Sequence, residues 1–257
     1  MNYFFGIKSS FVNTKLTIPR FQNLNPTKME HLLFQLEISD KSWKISNLSN
    51  FDSNNDFFKI DSDLINNNNI FCLATEVEIL ELEKNNYSKL VNFNNFTDTV
   101  PDYRANLKVY INGGGFSSYQ SDYPFPMVTK KGSILSSLSS LCNKNADQNI
   151  IFFKNIYEIP VQEEFCVFFV NIKTKEVLKK QVVSTNFLNE IIVEKEFINP
   201  EVFLFTDKYI GIPIFCSIHN KHISLEHTHA PHEYFMNENK FKLISELKRE
   251  FSEIINL

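Results

Sequence analysis

Between Tyr209 and Tyr234 the chain reads YIGIPIFCSIHNKHISLEHTHAPHEY and holds His219, His222, His227, His229 and His232, five of its six histidines. Glu226 and Glu233 lie among them. Imidazoles at this density can hold a metal ion, and with carboxylates they can move protons. If Ile223 to His229 is a strand, side chains alternate between its faces, so His227 and His229 share the apolar side with Ile223 and Leu225. Two imidazoles two residues apart can then reach one ion. Pro231 has no N–H for a ladder and ends the pairing, and the turn there can swing His232 or Glu233 back as a third ligand. Histidines plus a carboxylate and an open position suit catalytic zinc or non-haem iron, with manganese a further candidate. Glu233 and Glu226 are the candidate acid–base groups.

Two other readings of the same residues stay open. His219 and His222 flank Asn220-Lys221, which reads as a hairpin turn and places both imidazoles in solvent. His227, His229 and His232 could instead form a hydrogen-bonded network with Glu226 and Glu233 that ties the last strand to the helix after it. The spacing His227, His229, Glu233 resembles the first motif of cupins, but the 24 residues after Glu233 hold no histidine for a second motif. His227, His229 and His232 likewise resemble part of the metallo-β-lactamase signature, with Pro231 where its aspartate would stand.

A second stretch could bind rather than react. Asn112-Gly113-Gly114-Gly115 holds half of the six glycines, so the backbone there needs positive φ or a close approach. Tyr119, Asp122, Tyr123 and Phe125 follow, interrupted by Pro124 and Pro126, which forbid a helix. Aromatic, hydroxyl and carboxylate groups in one irregular loop suit a glycan or another small polar ligand.

Composition narrows the classes. Neither G-x-G-x-x-G nor G-x-x-x-x-G-K-[ST] can be written with these glycines, which excludes Rossmann and P-loop nucleotide chemistry. No serine sits in G-x-S-x-G. A net charge of -4 argues against nucleic-acid binding. Cys72, Cys142, Cys166 and Cys216 are scattered without a C-x-x-C, and Cys72, Cys166 and Cys216 sit in apolar surroundings, as buried free thiols do. With no signal-peptide pattern at Met1 to Phe11 and no apolar run of about 18 residues, the expectation is a cytoplasmic chain with no membrane contact.

The elements that would position these groups are mainly strands. Leu32, Phe34, Leu36 and Ile38 alternate with polar residues, as do Leu107, Val109 and Ile111 with Asn106, Lys108 and Tyr110. Ile70 to Glu83 reads as a strand with a phase slip at Ile79-Leu80, and Ser133 to Cys142 as a short helix. After Gln148 about seven strands follow at close spacing. Phe241, Ile244, Leu247, Phe251 and Ile254 then mark an amphipathic helix, which could pack on the domain or join two copies. The expected fold is mainly β: a β-rich region over 1–112, a connecting loop over 113–132, and an antiparallel β-sandwich or small barrel over 133–257 that ends in the helix. Two functions fit, a metal-dependent enzyme acting on a small polar or sugar-like substrate, or a non-catalytic β protein for binding or assembly.

Overall fold

A computed structural model describes residues 1–19, 31–48, 56–91, 105–121, 134–208, 212–227 and 238–256. The chain is mainly β and ends in a helix. Its first half contributes β1 (Asn2–Phe4), β2 (Asn13–Pro19), β3 (Leu32–Ser39), β4 (Ser42–Asn47), β5 (Phe57–Ile60), β6 (Ile70–Ala74), α1 (Glu76–Lys84), β7 (Ala105–Tyr110) and β8 (Phe116–Ser121). The second half contributes β9 (Ile134–Ser137), α2 (Leu138–Leu141), β10 (Gln148–Lys154), β11 (Glu164–Asn171), β12 (Glu176–Ser184), β13 (Leu188–Ile192), β14 (Val202–Thr206), β15 (Ile212–His219), β16 (His222–His227) and α3 (Lys240–Ile255).

These strands form four antiparallel sheets of four, in the orders β1-β6-β3-β4, β5-β2-β7-β8, β9-β14-β11-β12 and β13-β10-β15-β16. Adding eight to each strand number of the first two sheets gives the last two, so one topology is used twice. The short 3-10 turns Ser62–Leu64 and Lys195–Phe197 occupy the same place in each repeat, between its fifth and sixth strands. The sheets stand as a propeller-like ring of four blades, which is not clearly the sandwich or barrel expected of the C-terminal half. One apolar cluster holds residues of both repeats, from Tyr3 and Trp43 to Phe152 and Phe215.

Local sequence explains most elements. Along β2 buried Thr14, Leu16 and Ile18 alternate with half-exposed Asn13, Lys15, Thr17 and Pro19. Asp40-Lys41 and Asn220-Lys221 close the β3–β4 and β15–β16 hairpins with positive φ at both residues, the two-residue turn that matches strand twist. In α3, Ile244, Phe251 and Ile254 are buried. Phe251 stacks on Phe205 at 5.3 Å between ring centroids and meets Phe203 edge-on at 6.1 Å, closing a second, smaller cluster with Phe168 and Val170.

Two elements differ from the sequence reading. The Ile70 to Glu83 strand stops at Ala74 and becomes α1, because Thr75 and Glu78 form a capping box: the Glu78 amide donates to Thr75 Oγ1 and the Thr75 amide to the Glu78 carboxylate. The apparent phase slip is helical spacing. In Ser133 to Cys142 the expected helix shrinks to the single turn α2, since Ile134–Ser137 pair with β14 as β9 instead.

Candidate functional site

The histidine stretch enters the structure as the β15–β16 hairpin. His219 and His222 are register partners beside its turn and both are exposed. His219 Nδ1 stands 3.5 Å from Asp147 Oδ1, and the Asn220 amide donates to the other carboxylate oxygen at 2.8 Å. That amide bond, more than the histidine, holds the Asp147 carboxyl below its ordinary range. Along β16 the alternation is as expected: Ile223, Leu225 and His227 face inward while His222, Ser224 and Glu226 face solvent. Glu226 therefore lies on the opposite face from His227, and strand geometry keeps the two apart. His229, His232 and Glu233 lie outside the described residues, as do Asp122, Tyr123 and Phe125. Among the described residues no group of three or more His, Cys, Asp or Glu side chains could hold a metal ion.

The glycine run proves to be the tip of the β7–β8 hairpin, so residues 116–121 of the expected connecting loop are strand. Both needs anticipated for the glycines occur. Gly113 has φ of +70°, and the Gly115 amide donates to Lys221 O at 2.7 Å, which brings the tip of one repeat against the hairpin turn of the other. A Cβ on Gly114 would stand 2.8 Å from that same carbonyl oxygen. Tyr119 sits opposite Leu107 in the register.

A surface with groups suited to a ligand lies elsewhere, on the solvent face of the β5-β2-β7-β8 sheet. Lys15 on β2 is the direct register partner of Lys108 on β7, and Tyr110 is the partner of Phe116 on β8. Lys15 Nζ pairs with Asp61 at 2.7 Å, and Lys108 Nζ lies 4.0 Å from the centroid of the Phe116 ring. The Tyr110 hydroxyl donates to Ser62 Oγ at 3.4 Å. Lys15, Asp61, Lys108, Tyr110, Ile111, Gly114 and Phe116 line an open depression of about 360 Å³. Phe116 is 61% exposed and Phe57, at the far edge of the same face, 39%. Lys108 and Tyr110 were visible in the sequence as the polar half of an alternating strand. Phe116 joins them across the tip of the β7–β8 hairpin, and Lys15 and Asp61 only through pairing between distant segments.

Three thiols and one lysine are perturbed by burial, whereas Cys166, expected to be buried, is only partly so. Desolvation pushes the Cys142 and Cys216 thiols up to about 12 and the Cys72 thiol higher still, so none offers a thiolate near neutral pH. Lys154 is fully buried and desolvation draws it down to about 7, but its ammonium donates to Asn69 O at 2.8 Å and Asn67 O at 3.2 Å, within the protein. No family model, curated protein or solved structure matches the chain.

Proposed function

We propose that the chain is a non-catalytic binding protein and that the solvent face of the β5-β2-β7-β8 sheet receives a glycan. The observation that carries this is the Phe116 ring, left largely in water beside Tyr110, Lys108 and Asp61 around a depression of about 360 Å³. A large aromatic in solvent costs apolar burial of about 1.5–3 kcal/mol, and a ring set in polar groups is the usual form of a ligand platform. Sugars bring an apolar C–H face to such a ring and hydroxyls to the groups around it. The test is calorimetric titration with a panel of oligosaccharides, wild type beside Phe116→Ala. Binding that Phe116→Ala removes, with thermal unfolding unchanged, supports the reading; a panel with no binder, or binding indifferent to that change, overturns it.

A metal-dependent enzyme at the histidine cluster is the second reading. It is favoured by His227, half-buried on the apolar face of β16 at the end that leads to His229, His232 and Glu233. Elemental mass spectrometry on untagged protein decides it: about one zinc, iron or manganese per chain, lost in His227→Ala/His229→Ala, is the outcome that favours it. Absence of metal from both removes it.

A further inference from the structure

We propose that the outward face of α1 docks a basic amphipathic helix of a partner protein, which lays its apolar stripe on Val77 and Leu80 and its lysines or arginines on Glu76 and Glu81. No residue of the glycan face proposed above takes part, so the two readings stand or fall separately. Helical spacing sorts the side chains of α1 between two sides. On the inner side Leu82 is buried, Ile79 packs on the main apolar cluster, and the Glu78 carboxylate is held by the Met1 ammonium and the Thr75 amide. On the outer side Val77 is 64% and Leu80 53% exposed, and they are neighbours one turn apart. A single exposed apolar residue is ordinary, but two on one turn of a helix begin a stripe. The duplicated topology makes the same connection without this helix: the second repeat passes from β14 to β15 through residues 207–211, whereas the first passes from β6 to β7 through residues 75–104, and α1 lies in that extension.

Charge names the occupant. The exposed charged residues of α1 are Glu76, Glu81, Glu83 and Lys84, so carboxylates dominate this face in a chain whose net charge is -4. The Glu76 and Glu81 carboxylates make no ion pair or hydrogen bond among the described residues. Each stands one turn from an apolar neighbour, Glu76 from Leu80 and Glu81 from Val77. A cationic partner is therefore steered toward the face and paired on arrival. The same sign disfavours other occupants. Two copies meeting through α1 about a two-fold axis would set these carboxylates against one another, and an anionic lipid surface or a nucleic acid would be repelled. At nine residues α1 is about 13 Å long, which suits a short helical segment of the partner.

The test is fluorescence anisotropy of the full chain with a short labelled peptide of leucine and lysine at amphipathic helical spacing, beside the same peptide with glutamate in place of lysine. Expected is saturable binding of the leucine and lysine peptide that falls roughly tenfold or more in Val77→Gln/Leu80→Gln and about threefold or more in Glu76→Gln/Glu81→Gln. Added salt should weaken it. Glu164→Gln/Glu176→Gln, which removes two exposed carboxylates of the second repeat, should leave it unchanged, and the leucine and glutamate peptide should not bind. Absence of binding overturns the inference. So does equal loss in the two glutamate pairs, which reports net charge alone, and so does binding indifferent to Val77→Gln/Leu80→Gln. Self-association in sedimentation, or binding to phosphatidylserine vesicles, that Val77→Gln/Leu80→Gln abolishes assigns the face to a second copy or to a membrane and overturns the inference as well. Glutamine is a good helix former, and thermal unfolding of each variant separates a lost site from a lost fold.

Discussion

Lys154→Met should change the sign of its effect on stability with pH. The Lys154 ammonium is fully buried, with a neutral aromatic ring, Phe5, 6.0 Å away and two backbone carbonyls as its hydrogen-bond acceptors. Burial disfavours the charged form and brings the pKa from its ordinary 10.5 to about 7. A gap of that size is worth on the order of 5 kcal/mol. Between about pH 7 and 10.5 the unfolded chain holds a proton on this lysine that the folded chain does not, so stability climbs with pH through that window. Below pH 7 both states are protonated and the whole cost of burying the charge remains.

Methionine keeps the volume without the charge, at the loss of the bonds to Asn67 O and Asn69 O. Asn67 O still receives the Leu188 amide at 2.9 Å, so the main loss falls on Asn69 O, roughly 1–3 kcal/mol. At pH 6 the relief from desolvation exceeds this loss and the variant is more stable than wild type by about 2 kcal/mol. Near pH 10 little relief is left and the variant is the less stable, by about 1–2 kcal/mol. The assay is urea unfolding across pH 6 to 10, followed by fluorescence of Trp43, the single tryptophan and a buried one. Subtracting the variant removes the titrations that the two proteins share. Parallel dependences of wild type and variant between pH 7 and 9 would show that Lys154 does not titrate there, and would refute the reasoning.

Three further outcomes test how the elements are held. Gly114→Ala should lower the unfolding midpoint and loosen the seam between repeats, because its Cβ would meet Lys221 O at 2.8 Å; hydrogen exchange at the Gly115 amide should rise. Thr75→Ala should cost about 1 kcal/mol in urea unfolding by removing the capping box of α1, with Thr75→Ser recovering most of it. Phe251→Ala should cost about 3–5 kcal/mol, since its ring lies between Phe203 and Phe205. Phe241→Ala, at a ring 67% exposed, should change stability by less than about 0.5 kcal/mol, and an equal effect of the two would place α3 differently on the sheet.

The strands after Gln148 were legible because each carries its own alternation and is bounded by Asn, Asp or Pro turns. Asn171–Glu176 and Asn220-Lys221 are hairpin connections in the structure as in the sequence. The helix from Lys240 to Ile255 was legible from its apolar spacing, although Phe241, counted with the buried face, lies in water. Ile70 to Glu83 was misread because continuous apolar β6 runs straight into a helix, and the signal separating them is the single pair Thr75 and Glu78. The duplication was hidden for a different reason. Matching strands share topology and a buried face, while loop chemistry differs, and α1 with the residues after it lengthens only the first repeat's path from its sixth to its seventh strand. The lysine and aromatic face was half visible, as Lys108 and Tyr110 opposite Leu107 and Val109, but the register that brings Lys15 across from Lys108 is a long-range fact no local pattern carries.

The duplication also explains why a ligand face should lie in one repeat only. Strand β10 occupies in the second repeat the place of β2 in the first, and the two differ sharply: β2 alternates buried and half-exposed residues, whereas β10 is buried from Asn149 to Lys154. The face of β10 that carries Ile150, Phe152 and Lys154 corresponds to the face of β2 that carries Lys15 and Thr17. In the second repeat that face is taken up by the first repeat itself, through Lys154 on the Asn67 and Asn69 carbonyls and through the Ser9 hydroxyl on Glu190, which lies opposite Phe152. One copy of the face thus joins the repeats, and its apolar residues and neutral contacts suit that task. The other copy keeps lysines and exposed aromatic rings, which contribute little to folding. If Phe116→Ala leaves thermal unfolding unchanged while removing oligosaccharide binding, that division of labour between the copies is the reason.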